Sequence, residues 1–158
     1  WFHLNCDDDV NVSNEHCADR IGEYVVWGSL GSRSSVFFDL DDDGDLDIVT
    51  NEFNSEPMVL ISNLADKRPV HYLSVQLEGT ASNRSGIGSV VEISVGENKY
   101  RKSNDGQSGY LSQSDMPLYF GLGENSTVDQ ITVSWPSGIK QRIDGPFVSG
   151  QVVTIVEK

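Results

Sequence analysis

The sequence predicts an all-β protein: an antiparallel β-sandwich preceded by an N-terminal β segment that carries an acidic loop. Three observations predict the class. Apolar residues recur with a period of two in run after run, and the runs are separated by turn-forming clusters of Gly, Asn, Asp and Ser. No stretch combines a helical apolar stripe with a cap. Among the runs, His71, Leu73, Val75 and Leu77 alternate with Tyr72, Ser74 and Gln76, and Val91, Ile93 and Val95 alternate with Glu92 and Ser94. Ile131, Val133 and Trp135 alternate with Thr132 and Ser134. Period two sends successive side chains to opposite faces, so each run offers one face to a core and one to solvent.

Further strands are predicted at residues 24–27, 36–40, 48–51, 58–62, 118–121 and 152–156. The stretch Ala65-Asp66-Lys67-Arg68-Pro69 separates two sets of strands and suggests a boundary. Residues 66–158 can form a β-sandwich alone. Residues 1–65 are short and polar, so they are expected to pack against the sandwich or to extend one of its sheets.

With 158 residues and a formal charge of −13, the chain suits one domain with a small appendage. The charge excludes nucleic acid, whose phosphates require clustered Lys and Arg, and an anionic membrane surface. No apolar run approaches bilayer length, so no membrane insertion is expected. Clustered carboxylates that repel until a cation neutralises them fit an extracellular, secreted or cell-surface protein. The chain opens at Trp1 without Met or a signal sequence, which suggests part of a larger multidomain chain.

Cys6 and Cys17 suit a disulfide stapling a polar N-terminal segment. Unpaired buried thiols are an alternative, and zinc held by His3, Cys6, His16 and Cys17 is a weaker one, since no C-x₂-C pair is present.

The densest chemistry lies in Asp39-Leu40-Asp41-Asp42-Asp43-Gly44-Asp45-Leu46-Asp47. Six carboxylates in nine residues repel too strongly for a plain turn. Calcium takes six to eight hard oxygens at about 2.3–2.6 Å. A loop curling round the ion supplies side-chain oxygens from Asp39, Asp41, Asp43 and Asp47, with Asp45 contributing its main-chain carbonyl. Asp42 should face solvent, while Leu40 and Leu46 can anchor the loop. An EF-hand would need flanking helices and Glu at the twelfth position; strands flank this loop and position twelve is Thr50. The loop resembles that of FG-GAP or VCBS repeats. One such loop does not make a propeller, which needs several blades to close.

Downstream come Asn83-Arg84-Ser85-Gly86-Ile87-Gly88, then residues 108–114 (SGYLSQS), Tyr119-Phe120-Gly121-Leu122-Gly123, and Trp135-Pro136-Ser137-Gly138. This succession resembles the ASPIC/UnbV domain over roughly residues 72–157. The resemblance implies an extracellular interaction role without defined chemistry, commonly downstream of FG-GAP repeats. It favours glycan binding, because bacterial members often accompany polysaccharide-processing machinery.

Positive charge is scarce, so its positions matter. Arg33, Arg84, Arg101 and Lys102 are candidate clamps for sulfate or carboxylate groups. Tyr110, in a Ser-rich loop, is a candidate platform for a sugar ring. Trp135 alternates with Ile131 and Val133 and belongs to the core side; His71 likewise continues an inward face. No Gly-x-Ser-x-Gly elbow occurs, and Ser112 or Ser114 with a distant His71 would make an arbitrary triad. The chain therefore reads as a noncatalytic, calcium-stabilised module that binds an anionic polysaccharide, with protein–protein adhesion as the alternative.

Overall fold

A computed structural model describes residues 2–7, 17, 21–26, 32–53, 56–107 and 109–158. Trp1, His16 and Trp27 lie outside the described residues. The strands run in chain order as β1 (Phe2–Asn5), β2 (Glu23–Val26), β3 (Ser34–Phe38), β4 (Asp47–Asn51), β5 (Met58–Leu60) and β6 (Tyr72–Glu78). They continue as β7 (Val90–Val95), β8 (Asn98–Ser103), β9 (Leu118–Gly121), β10 (Thr127–Ser134), β11 (Lys140–Val148) and β12 (Gln151–Val156). The protein is all-β, with no α-helix among the described residues.

Two sheets build the sandwich. One is ordered β11-β10-β7-β8 and is antiparallel throughout. The other is ordered β12-β6-β9, and here β6 pairs antiparallel with β9 but parallel with β12. The parallel pair departs from the antiparallel expectation. A parallel partner needs a long crossover, and the whole of the other sheet lies in the chain between β6 and β12.

The alternation read from sequence becomes the core. Leu73, Val75 and Leu77 of β6 are buried with Val91, Ile93 and Val95 of β7 and with Ile131 and Val133 of β10. Ile93 stands directly opposite Ile131, and Val91 opposite Val133, so branched side chains pack in pairs across the ladder. Val128 is also fully buried, although it stands three positions before Ile131. In a regular strand such a spacing would turn the two to opposite faces. A register shift between Val128 and Gln130 in the β10–β11 pairing reconciles them. Gly145 lies across this bulge: a Cβ there would come within 2.6 Å of the Val128 carbonyl oxygen. Glycine alone fits that approach.

Before the sandwich, β3, β4 and β5 form a three-stranded antiparallel sheet, and β1 pairs with β2. A Cys6–Cys17 disulfide closes the N-terminal segment. It removes the free-thiol and zinc alternatives, because a bonded sulfur is no longer a thiolate ligand. The early sheet touches the sandwich at defined points. Ser34 bridges Gly109, the Tyr110 N–H donates to the Arg33 carbonyl at 3.1 Å, and the Tyr119 hydroxyl donates to the Gly44 carbonyl at 2.8 Å.

Candidate metal centre

Residues 39–46 connect β3 to β4, and Phe38 pairs with Asp47 across the base of the hairpin. The connection is wound by its own side chains. Asp39 accepts the Asp43 N–H at 3.0 Å and the Gly44 N–H at 2.9 Å, while Asp43 accepts the Asp45 N–H at 2.9 Å. Asp42 has φ = 61°, a left-handed conformation that Asp tolerates better than most residues, and it is exposed as expected. Gly44 has φ = 94°, and a Cβ there would stand 2.9 Å from Tyr72 Cε1. Backbone and packing thus both demand glycine at this position.

The winding gathers three carboxylates. Asp39, Asp41 and Asp43 each offer an oxygen, and the three atoms lie within 4.8 Å of one another. Two oxygens bound to one calcium at 2.3–2.6 Å are at most about 5 Å apart, so the triad fits a single ion. No Lys or Arg among the described residues pairs with these groups. Partial desolvation, then the charges of Asp43 and Asp47, push the Asp41 carboxyl above its ordinary pKa. The donor set is therefore hard, anionic and, among the described residues, without a countercharge. Asp39, Asp41 and Asp43 would hold a cation, and the ion would supply charge neutralisation and cross-linking of the loop.

Asp45 and Asp47 do something else. Both are buried. Asp45 Oδ2 accepts the Ala65 N–H at 2.8 Å. Its Oδ1 is buried with no hydrogen-bond partner. Asp47 was expected among the side-chain ligands, yet it stands outside the triad. Its two oxygens accept the Leu40 and Ser62 N–H groups, each at 2.8 Å, so it straps the loop to the chain beyond β5. Leu40 does not anchor the loop as expected; it is 43% exposed, and Leu46 alone is half-buried.

Two tyrosines support the loop from the sandwich. Tyr72 and Tyr119 stack with ring centroids 5.1 Å apart. Burial, then Tyr72 and the charges of Asp39, Asp45 and Asp43, push the Tyr119 hydroxyl up to about 12. It therefore stays protonated and keeps donating to Gly44. Sequence reasoning missed both residues, since nothing local ties positions 72 and 119 to a loop at 44.

The candidate ligand contacts do not form one site. Arg33 lies over the Phe53 ring at 5.1 Å, and its backbone meets that of Tyr110, which is 64% exposed. Arg84 is exposed in the loop after β6. Arg101 and Lys102 are consecutive on β8 and take opposite faces. Lys102 approaches the Phe120 ring at 5.8 Å on the core side, and Arg101 stands opposite Glu92 in the register on the outer side. A cleft of about 420 Å³ between β3 and the sandwich is lined by Val36, Leu46, Lys102, Gly109, Leu118 and Tyr119, among others. Trp135 is core, with its indole N–H donating to Gln141 at 3.2 Å.

Fold and site together define a sandwich-like β-domain carrying an acidic hairpin loop. The chain belongs to the ASPIC and UnbV family, whose model matches residues 79–158, just over half its length. The match begins immediately after β6, although β6 contributes Leu73, Val75 and Leu77 to the core. The packed unit is thus longer than the matched segment. Comparison with curated proteins gives no match.

Proposed function

We propose that this chain is a noncatalytic extracellular module, stabilised by calcium on an FG-GAP-type loop, that binds an anionic polysaccharide. The observation that carries the calcium reading is the convergence of Asp39, Asp41 and Asp43, with no Lys or Arg among the described residues paired to them. The disulfide supports an oxidising compartment. The polysaccharide reading draws on what the family resemblance implies, and on exposed groups suited to sugars and their anions: Tyr110, Arg33, Arg84, Arg101 and Lys102. Residues 1–65 would carry the calcium loop, and residues 66–158 the ASPIC/UnbV-type sandwich.

A glycan array probed with and without chelator tests the reading. Retention on acidic glycans is the expected result; failure to bind any polysaccharide while remaining folded would reject it. One observation favours a protein–protein adhesion role instead. Val59 and Ile61, on and just past β5, and Phe53, just past β4, are each more than half exposed, and exposed apolar groups gathered in this way mark interaction sites.

For the ion, chelation is expected to lower Tm by about 1–5 °C, taking calcium at one to ten times a modest Kd. Asp41→Ala and Asp43→Ala should each abolish that chelator response. Scanning calorimetry with calcium, with EDTA and with magnesium reads the effect. An identical Tm in calcium and EDTA would remove the structural role.

A further inference from the structure

The outward face of the β11-β10-β7-β8 sheet is the place where this acidic chain collects positive charge. The registers build three rows across it: Lys140–Ser134–Val90–Ser103, Arg142–Thr132–Glu92–Arg101 and Asp144–Gln130–Ser94–Lys99. Four of the chain's 11 basic residues stand here against two carboxylates, in a protein of net charge −13. A long anionic polymer is repelled by most of such a molecule, so a face of reversed sign is where it can approach.

The charges on this face are unequal in what they have left to offer. Lys99 is 3.0 Å from Glu92, and Arg142 is 3.1 Å from Asp144. One oxygen of each carboxylate is thereby engaged. Asp144, held below its ordinary pKa by Arg142 and Gln130, stays ionised in its pair. Among the described residues, no side-chain hydrogen bond or ion pair engages Arg101 or Lys140. They stand on the two outer strands, three interstrand spacings and one row apart, about 16 Å between backbones. Their long side chains reach inward to the same shallow depression, of about 150 Å³, whose floor is Val90, Glu92, Thr132 and Ser134.

We propose that this depression binds a sulfate half-ester of an acidic polysaccharide, held between the Arg101 guanidinium and the Lys140 ammonium over the Thr132 and Ser134 hydroxyls. The inference rests on the polysaccharide reading above and names its site. Donors rise from two sides and from the floor, which suits the three outward oxygens of a sulfate ester. A planar carboxylate would leave one direction unused. Of the residues singled out from sequence, Arg101 belongs to this site; Lys140 joins it through sheet pairing. The site is exposed, so binding is expected to weaken as salt rises.

Dextran sulfate, carboxymethyl-dextran and neutral dextran, titrated calorimetrically into the intact chain, supply the test. Dextran sulfate should bind, and the double variant Arg101→Ala/Lys140→Ala should bind it about tenfold more weakly. Lys67→Ala/Arg68→Ala, which removes the same charge from exposed positions elsewhere, should stay within about twofold of the parent. Equal loss in both double variants would reduce the effect to net charge and overturn the site. Carboxymethyl-dextran bound as tightly as dextran sulfate would overturn the sulfate assignment. Inorganic sulfate, followed by amide NMR, separates this inference from the broader one. Shifts at Glu92, Arg101, Thr132 and Ser134 that vanish in Arg101→Ala/Lys140→Ala support the site even if no glycan on an array is retained. Glycan binding that survives the double variant rejects the site and leaves the polysaccharide reading standing.

Discussion

Trp135→Ala is expected to destabilise the protein by about 3–5 kcal/mol, the cost of emptying an aromatic-sized volume in a packed core. Trp135 follows the last residue of β10, is 4% exposed, and joins the cluster that both sheets share. Its surroundings cannot collapse to fill the gap. Gly86 approaches so closely that a Cβ there would lie 3.1 Å from Trp135 Cζ3, and the Trp135 backbone closes a turn with Ile139 and Gly138. Trp135→Phe should cost much less, chiefly the missing volume and the bond to Gln141, of about 0.5–1.5 kcal/mol. Denaturant unfolding of the three proteins reads the series. A loss below 1 kcal/mol for the alanine variant would mean that the tryptophan does not carry the core.

The Trp135 result depends on a pattern that was readable without the fold. Period-two alternation marked β6, β7 and β10 because each has a core on one side and solvent on the other, and local spacing alone carries that contrast. β11 was missed because its inward residues, Gln141 and Ile143 then Phe147, are interrupted by the bulge opposite Gly145 and flanked by Lys140, Arg142 and Asp144. The parallel β6–β12 pairing was also illegible, since the strands are brought together by the sheet folded between them. At the acidic loop, spacing alone located Asp39, Asp41 and Asp43. The strap roles of Asp45 and Asp47 were hidden because their donors, at Ala65 and Ser62, lie 20 and 15 residues downstream. The cationic face shows the same limit. Arg101 was singled out as one of few positive charges, but Lys140 becomes its neighbour only across two intervening strands.

Acidification from about pH 4.5 towards pH 2 is expected to strip stability from the sandwich through Glu157, another residue that no local pattern announces. Glu157 is 3% exposed near the chain end, just past β12. One oxygen, Oε2, accepts the N–H groups of Thr80, Ala81 and Ser82 at 2.8, 2.8 and 2.7 Å. The other, Oε1, accepts the hydroxyls of Ser82 and Ser137. Burial alone would raise its pKa. The hydrogen bonds from Ser137, Ser82 and Thr80 outweigh burial and hold it near about 2, against 4.5 for an ordinary Glu. A carboxyl depressed on folding stabilises the native state above its unfolded pKa, and that contribution fades as pH falls towards the folded value. The loss therefore falls between about pH 4.5 and pH 2, not near neutrality. Glu157→Gln keeps an acceptor for the backbone N–H groups and can turn its amide towards the two hydroxyls, so it should fold. It should unfold at lower temperature at pH 7, with a flatter Tm profile below pH 4.5. Glu157→Leu leaves the three N–H groups without their acceptor and should be the least stable of the three at every pH above 4.5. Melting curves from pH 7 to pH 2 separate these cases. A parent and a glutamine variant with parallel acid limbs would show that the chain's acid sensitivity arises elsewhere, with the aspartates of the 39–47 loop as the next groups to replace.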